Sequence, residues 1–337
     1  MKNYISHNVT MTRTAQVPPS LAYDSTSAWK VAAREKLTEL LCMPDGRCDD
    51  LFAVIETTQR ENFTEIVFEF QSEPDYFIPC HLLIPKGAEK PLPVMICLQG
   101  HSTGMHFSLG RKKFESDTDE GVIPRSFALQ AVNHGMCAIT MDQRYMGAAG
   151  QEADGRPACL FGYPALSALL WGRTAIGERV FDVMRLIDVI EAHLGSYIRK
   201  EKIHCMGTSG GGTATCYAAA MDSRIRTAVI SCALCTYETS IMPMSHCTCN
   251  YIPGIRKYFE MGDVAALIAP RKLVAYSGAQ DKIFPSEGSK EAFATAQKAF
   301  EDAGVPKYCR HLVGTGGHGF DPELVWPVIM QLQEETL

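Results

Sequence analysis

A chain of 337 residues, 46% hydrophobic and 21% charged, has the balance of a globular protein with a substantial core, which excludes a disordered or fibrous polymer. Its formal net charge of −6 argues against nucleic acid as the main ligand, because phosphate binding needs a basic surface. The opening "MKNYISHNVTMTRTAQVPPS" lacks the continuous apolar core of a secretory signal, and no later run is long enough to span a bilayer, so a soluble cytoplasmic protein without membrane partners is expected.

After the polar start, "STSAWKVAAREKLTELLCMPDG" sets Trp29, Ala33, Leu37, Leu40 and Leu41 at helical spacing, with a serine or threonine cap before them and Pro44 and Gly46 beyond. This helix belongs to an N-terminal arm, residues 1–60, expected to pack on the core and available for a homo-oligomer contact. "FTEIVFEF" then alternates Ile66, Phe68 and Phe70 with Glu65 and Glu69, and "YFIPCHLLIP" follows with similar extended composition; together they predict an antiparallel strand pair.

From Pro93 onward the texture changes to short, wholly apolar runs separated by helical patterns. "VMICL", "MCAITMD", "KIHCMG", "TAVISC", "KLVAYSG" and "YCRHLV" read as buried strands. Between them lie "IPRSFALQAVNHG", "GERVFDVMRLIDVIEAHLG", the segment after Ser209, "PSEGSKEAFATAQKAFEDAG" and "PELVWPVIMQLQEE" as helices, the second presenting Val180, Val183, Met184, Ile187 and Ile190 on one face. This alternation means an α/β domain over residues 61–337, a mostly parallel sheet covered by helices on both faces. Residues 145–176 and 233–262 are too long for simple connections and read as insertions over a pocket. The thirteen cysteines sit largely inside apolar runs, as Cys97 and Cys137 do, and read as reduced thiols rather than a disulfide framework.

The chemistry gathers at "HCMGTSGGGTATCYAAAM". Gly207, Ser209 and Gly211 fit G-x-S-x-G, with a strand entering and a helix leaving, the setting of a nucleophile elbow in which small neighbours let the backbone pass close by. A Walker loop is excluded, since no lysine followed by serine or threonine comes after the glycines. A serine hydroxyl needs a base and an orienting acid. "AQDKIFP" puts Asp281 at the C-terminal end of a strand, ahead of its competitors Asp321 and Glu287, and "GTGGHGFDP" puts His318 on a glycine-rich loop before the last helix. The order Ser209, Asp281, His318 is that of an α/β-hydrolase triad. "VMICLQGHSTG" supplies a tight turn after an earlier strand, so the backbone N–H groups of His101 and Gly210 are expected to form the oxyanion hole. No metal partner lies at ligand spacing beside the His101 side chain, and no cofactor is implied.

With "LQGHSTG", "MDQRYMG", "GERVFDVMRLIDVI", "GTSGGG", "IAPRKLVAYSGAQDKIFP" and "GGHGF", the chain resembles the α/β-hydrolase superfamily, and within it the acetyl xylan esterase, cephalosporin-C deacetylase and dienelactone-hydrolase-like esterases. The resemblance implies an α/β-hydrolase fold and a serine esterase acting on a small-molecule or saccharide ester, with acetyl as the first acyl group to consider. It departs from that pattern in carrying Tyr145 where relatives of the D-x-R-G-x-G type have glycine, and "QGH" where acetyl esterases have H-G-Y. A peptidase or amidase, a lactone hydrolase, or a catalytically silent binding protein could use the same fold. Gln99, Arg144, Tyr145 and Cys235 are candidate pocket residues, with an ion pair to Glu178 or Asp182 as the alternative fate of Arg144. The run Cys232, Cys235, His246, Cys247, Cys249 lacks the spacing of a CxxC knuckle, so a zinc site there is set aside in favour of a wall for the substrate pocket.

Overall fold

The computed structural model describes residues 17–150 and 163–335. Helix α1 (Ser27–Leu41) starts because the Thr26 hydroxyl accepts the Trp29 N–H at 3.2 Å, and it stops at Cys42 in the left-handed region. It buries Trp29, Ala33, Leu37 and Leu41, the spacing read from the sequence. Arg34 on its other side donates to the carbonyls of Ala220 and Leu267 at 3.3 Å, tying the arm to the helices behind the site.

Nine strands form one sheet: β1 (Ala53–Gln59), β2 (Phe63–Glu73), β3 (Tyr76–Pro85), β4 (Leu92–Leu98), β5 (Cys137–Met141), β6 (Ile198–Thr208), β7 (Ile225–Ser231), β8 (Lys272–Gly278) and β9 (Cys309–Gly314). Their order is β1-β2-β3-β5-β4-β6-β7-β8-β9. The first three are antiparallel to their neighbours, and β5, β4, β6, β7, β8 and β9 run parallel. Every residue of β5 and β8 is buried, which requires cover on both faces and explains why neither alternates between polar and apolar residues. β1, which no apolar alternation announces, is an exposed edge strand with a bulge between Val54 and Glu56.

Among the described residues the further helices of six residues or more are α2 (Phe127–Asn133), α3 (Tyr163–Leu170), α4 (Ala175–His193), α5 (Gly210–Met221), α6 (Met261–Ala266), α7 (Ser286–Asp302) and α8 (Pro322–Glu334). Among the described residues no helix is long and apolar enough to cross a membrane. α4 departs from its expected single apolar face: Glu178, Arg179, Asp182 and Arg185 are buried along with Val180 and Ile187, while Met184 is only half-buried. The reason is that these side chains pack against β2 and the loops before β1 and after β5: Asp182 meets Ser72 and Arg144, Arg179 donates to the Arg144 carbonyl, and Arg185 donates to that of Cys48, while the end of α1 crosses at Gly177. A Cβ at Gly177 would lie 1.9 Å from the Leu41 carbonyl oxygen, so glycine is required at this crossing.

The chain leaves β4 to form β5 on one side and returns to form β6 on the other. In an open parallel sheet such a reversal leaves a crevice at the strands' C-terminal ends, where ligands bind. Glu65 on β2 braces the loop beyond β4: it accepts from Arg60 at 2.8 Å and from Arg111 at 2.6 Å, and meets His81 Nδ1 at 2.7 Å. Burial pushes the Glu65 carboxyl up, but the bonds from Arg111, His81 and Arg60 prevail and hold it at about 2 against an ordinary 4.5. Its contribution to stability is therefore full above pH 4.5 and lost as pH falls through about 2. Glu65→Gln is expected to cost about 3 kcal/mol at pH 7. Urea unfolding at a series of pH values should show that difference closing between pH 4.5 and about 2.

Candidate active site

Strand β6 ends at Thr208 and helix α5 begins at Gly210, leaving Ser209 alone at the turn with φ 53° and ψ −126°. That conformation costs roughly 1–3 kcal/mol for a residue with a Cβ and persists only where packing enforces it. Here the packing is backbone against backbone. A Cβ at Gly211 would lie 2.1 Å from the Leu98 oxygen, and one at Gly207 would lie 2.3 Å from Gly211. The Ser209 N–H donates to the Ser231 carbonyl at 2.9 Å, and the Ser209 carbonyl accepts from Thr213 N–H at 2.8 Å. The serine is half-buried, and the Gly210 N–H beside it is the first of a helix, with no intrahelical acceptor.

The loops after β8 and β9 bring Asp281 and His318 together. Ala279 N–H donates to Gly314 O at 2.8 Å and Gln280 N–H to Gly316 O at 2.9 Å, so the two loops run side by side. The Asp281 side chain is fully buried; one oxygen accepts the N–H groups of Ile283 at 2.8 Å and Phe284 at 3.0 Å, and the other meets His318 Nδ1 at 2.8 Å. Burial pushes the Asp281 carboxyl up, but His318 and these amides outweigh it and the group sits below the usual carboxylate range. Phe284 stacks on the His318 ring, with centroids 5.8 Å apart and planes at 15°. Asp321 is instead the cap of α8, accepting from Leu324 N–H at 3.1 Å, and Glu287 lies in the first turn of α7. Ser231 links this pair to the elbow: its carbonyl takes the Ser209 N–H, and its hydroxyl donates at 3.2 Å to the carbonyl of Gly319, the residue after His318.

The turn after β4 presses on the elbow from the other side. A Cβ at Gly100 would lie 3.2 Å from Ser209 Cβ, and one at Gly210 would lie 2.9 Å from His101 Nε2. The two residues whose amides were expected to form the oxyanion hole are thus in contact across the turn. Asp142 fastens this turn to the loop after β5, accepting Met105 N–H at 2.7 Å and Ala148 N–H at 2.8 Å.

The four expected pocket residues do not line one surface. Gln99 is wholly buried, with the Gln143 side chain donating to its carbonyl at 2.8 Å. Arg144 lies among carboxylates: Nε and Nη2 reach the two Asp182 oxygens at 2.8 and 2.9 Å, Glu73 and Glu178 also pair with it, and it stacks 4.2 Å over Tyr76. The ion pair, not an exposed anion site, is where its charge is spent. The Tyr145 hydroxyl donates to Glu178, which with its φ of 69° explains how a tyrosine occupies the place of a glycine. Cys235 is buried against Thr239 and Pro285. The wall is formed instead by residues 240–250. His246 sits 5.4 Å from Phe284, and Cys247 Sγ lies 2.8 Å from His101 Nε2. Beyond His318 an open cleft of about 770 Å³ is lined by Ile123, Gln130, Tyr276 and Phe320.

A model of the Abhydrolase family matches residues 8–311. The "Putative hydrolase YtaP" of Bacillus subtilis (strain 168) is 24% identical over 293 residues, covering 85% of this chain and 92% of that protein. Among solved structures, a "putative acetyl xylan esterase" from Bacteroides fragilis NCTC 9343 gives a TM-score of 0.83 at 19% identity over 98% of this chain and 96% of that one. A glucuronoyl esterase from Solibacter usitatus gives 0.70 at 16% identity over 95% and 97%. At these identities the structural likeness speaks for the fold.

Gly211→Ala should separate α5 from β4 and cost about 2–4 kcal/mol, an overpacking penalty at the upper end because the obstacle is backbone. Gly316→Ala, where an added Cβ meets nothing within 4 Å, should change stability by less than about 0.5 kcal/mol. Paired urea titrations distinguish the two; equal effects would mean that the close approach of α5 is not what glycine serves here.

Proposed function

The chain belongs to the Abhydrolase family, and on that premise we propose that it is a serine carboxylesterase hydrolysing a short-chain, acetyl-type ester of a small molecule or saccharide. The observation that carries the proposal is the positive φ of Ser209 on its strand-to-helix turn, a conformation held against its own strain beside a histidine–carboxylate pair. In this reading His318 takes the Ser209 proton as the hydroxyl attacks the ester carbonyl, and Asp281 holds the imidazole with Nδ1 protonated and Nε2 free to accept. The carbonyl oxygen becomes an oxyanion facing the Gly210 and His101 amides, each contributing on the order of 3 kcal/mol in the transition state. The tetrahedral intermediate collapses as His318 returns the proton to the leaving alcohol. Water, deprotonated by His318, then attacks the acyl-serine, and a second collapse frees the acid and restores Ser209.

Two features support a compact acyl group and a sugar-like alcohol. His246, Phe284 and the Cys247 loop crowd the approach to His318 on one side, whereas the other side opens onto the cleft bordered by Tyr276 and Phe320. The likeness to structures named for acetyl xylan and glucuronoyl esterases points the same way.

A fluorophosphonate probe should label the wild type at Ser209, and Ser209→Ala should abolish both labelling and p-nitrophenyl acetate hydrolysis. Asp281→Asn should retain the fold and lower kcat by roughly 10⁴, as expected when the imidazole loses its orienting charge. In an acyl-chain series kcat/KM should fall steadily beyond propionyl. An unlabelled wild type inert toward every activated ester would overturn the esterase reading; faster cleavage of anilides than of esters would replace it with an amidase.

A further inference from the structure

The esterase reading leaves unused the contact between the turn after β4 and the wall loop. Cys247 Sγ lies 2.8 Å from His101 Nε2, Cys249 Sγ lies 3.7 Å from the same nitrogen, and the two sulfurs are 2.7 Å apart. All three donor atoms fall within 4.8 Å of one another. One imidazole nitrogen and two thiols are the donor set that borderline and soft d-block cations select, Zn²⁺ foremost, and carboxylate-seeking ions such as Mg²⁺ and Ca²⁺ do not. An outer partner is also present: Asn250 Nδ2 donates to Cys247 Sγ at 3.6 Å, and Asn250 is itself fixed by Thr213 Oγ1, which donates to its side-chain oxygen at 3.2 Å. Such support of a ligating sulfur is characteristic of metal sites.

We propose that His101, Cys247 and Cys249 bind one Zn²⁺, clasping the turn after β4 to the wall loop beside the elbow. Both thiols lose their protons to solvent on binding, so two thiolates balance the charge of the ion, and His101 coordinates through Nε2 as a neutral ring. With Zn–S near 2.3 Å, tetrahedral coordination would spread the sulfurs to about 3.8 Å, an opening that rotation about the two Cys side chains can supply. Three protein ligands leave a fourth position for water. Cys232, Asp281 and His318 also lie within 4.8 Å of one another, but that cluster already has its role at the triad.

The test uses the full chain, reduced and stripped of metal, titrated with Zn²⁺ against a chromophoric chelator, and with Co²⁺ as a spectroscopic stand-in. Expected are one equivalent of zinc per chain and a thiolate-to-cobalt charge-transfer band. Cys249→Ser and His101→Gln should each weaken binding by more than about 100-fold and Asn250→Ala by roughly 10–100-fold, the range for outer partners. Cys235→Ser should bind as the wild type does. Ser209→Ala should also keep full affinity, so failure of the esterase reading and failure of the zinc reading are separately visible. Zinc binding no tighter than that of a Cys247→Ser/Cys249→Ser double variant would overturn the proposal. So would isolation of a Cys247–Cys249 disulfide that, once reduced, takes up no metal.

Discussion

The arrangement at the sheet's centre depends on how closely α5 can approach β4 and β6. At Gly207 and Gly211 main chain meets main chain at distances that no Cβ would permit. That proximity leaves Ser209 no room to adopt an ordinary helix-start geometry, and its positive φ is the result. The serine hydroxyl, the first amides of α5 and the turn after β4 are then brought together by one steric condition. The same condition accounts for the run of small residues through α5, which is buried on nearly every side.

Beneath this lies a second layer, made of charge. Arg144, Asp182, Glu178 and Glu73 form a buried ion network, while Asp142 gathers the amides of Met105 and Ala148. Buried charges of this kind are weak evidence for stability, since desolvation offsets much of their attraction. Their effect is on geometry. They fix the loops after β4 and β5 relative to α4, so the site's loops stand on a base with few alternative arrangements.

What could be read from the sequence follows from what is local. The elbow, the strand ends and the glycine-rich loop are each carried by fewer than about ten consecutive residues, and their chain order supplied the rest. Helices with one buried face, such as α1, were legible for the same reason. The buried charges of α4 were not, because their partners, Ser72, Arg144 and the Cys48 carbonyl, come from segments far away in the chain. Nor was the neighbourhood of His101: its partners Cys247 and Cys249 stand 146 and 148 positions later, and ligand spacing has no local signature when the donors come from different loops. Gln99 and Cys235 show the converse, since being near a motif in sequence says little about which way a side chain faces in the loops that leave β4 and β7.

The pairing of the two loops after β8 and β9 has a consequence for how the molecule comes into being. Ribosomal synthesis delivers Ser209, the turn after β4 and Asp281 first, whereas His318 follows only with the segment beyond Gly314. Until β9 adds to β8, Asp281 has its amide donors but no ring to align. A nascent chain can therefore build nearly all of its sheet before the Asp281–His318 pair exists, so that on the proposed esterase reading hydrolytic competence arrives as one of the last events of assembly.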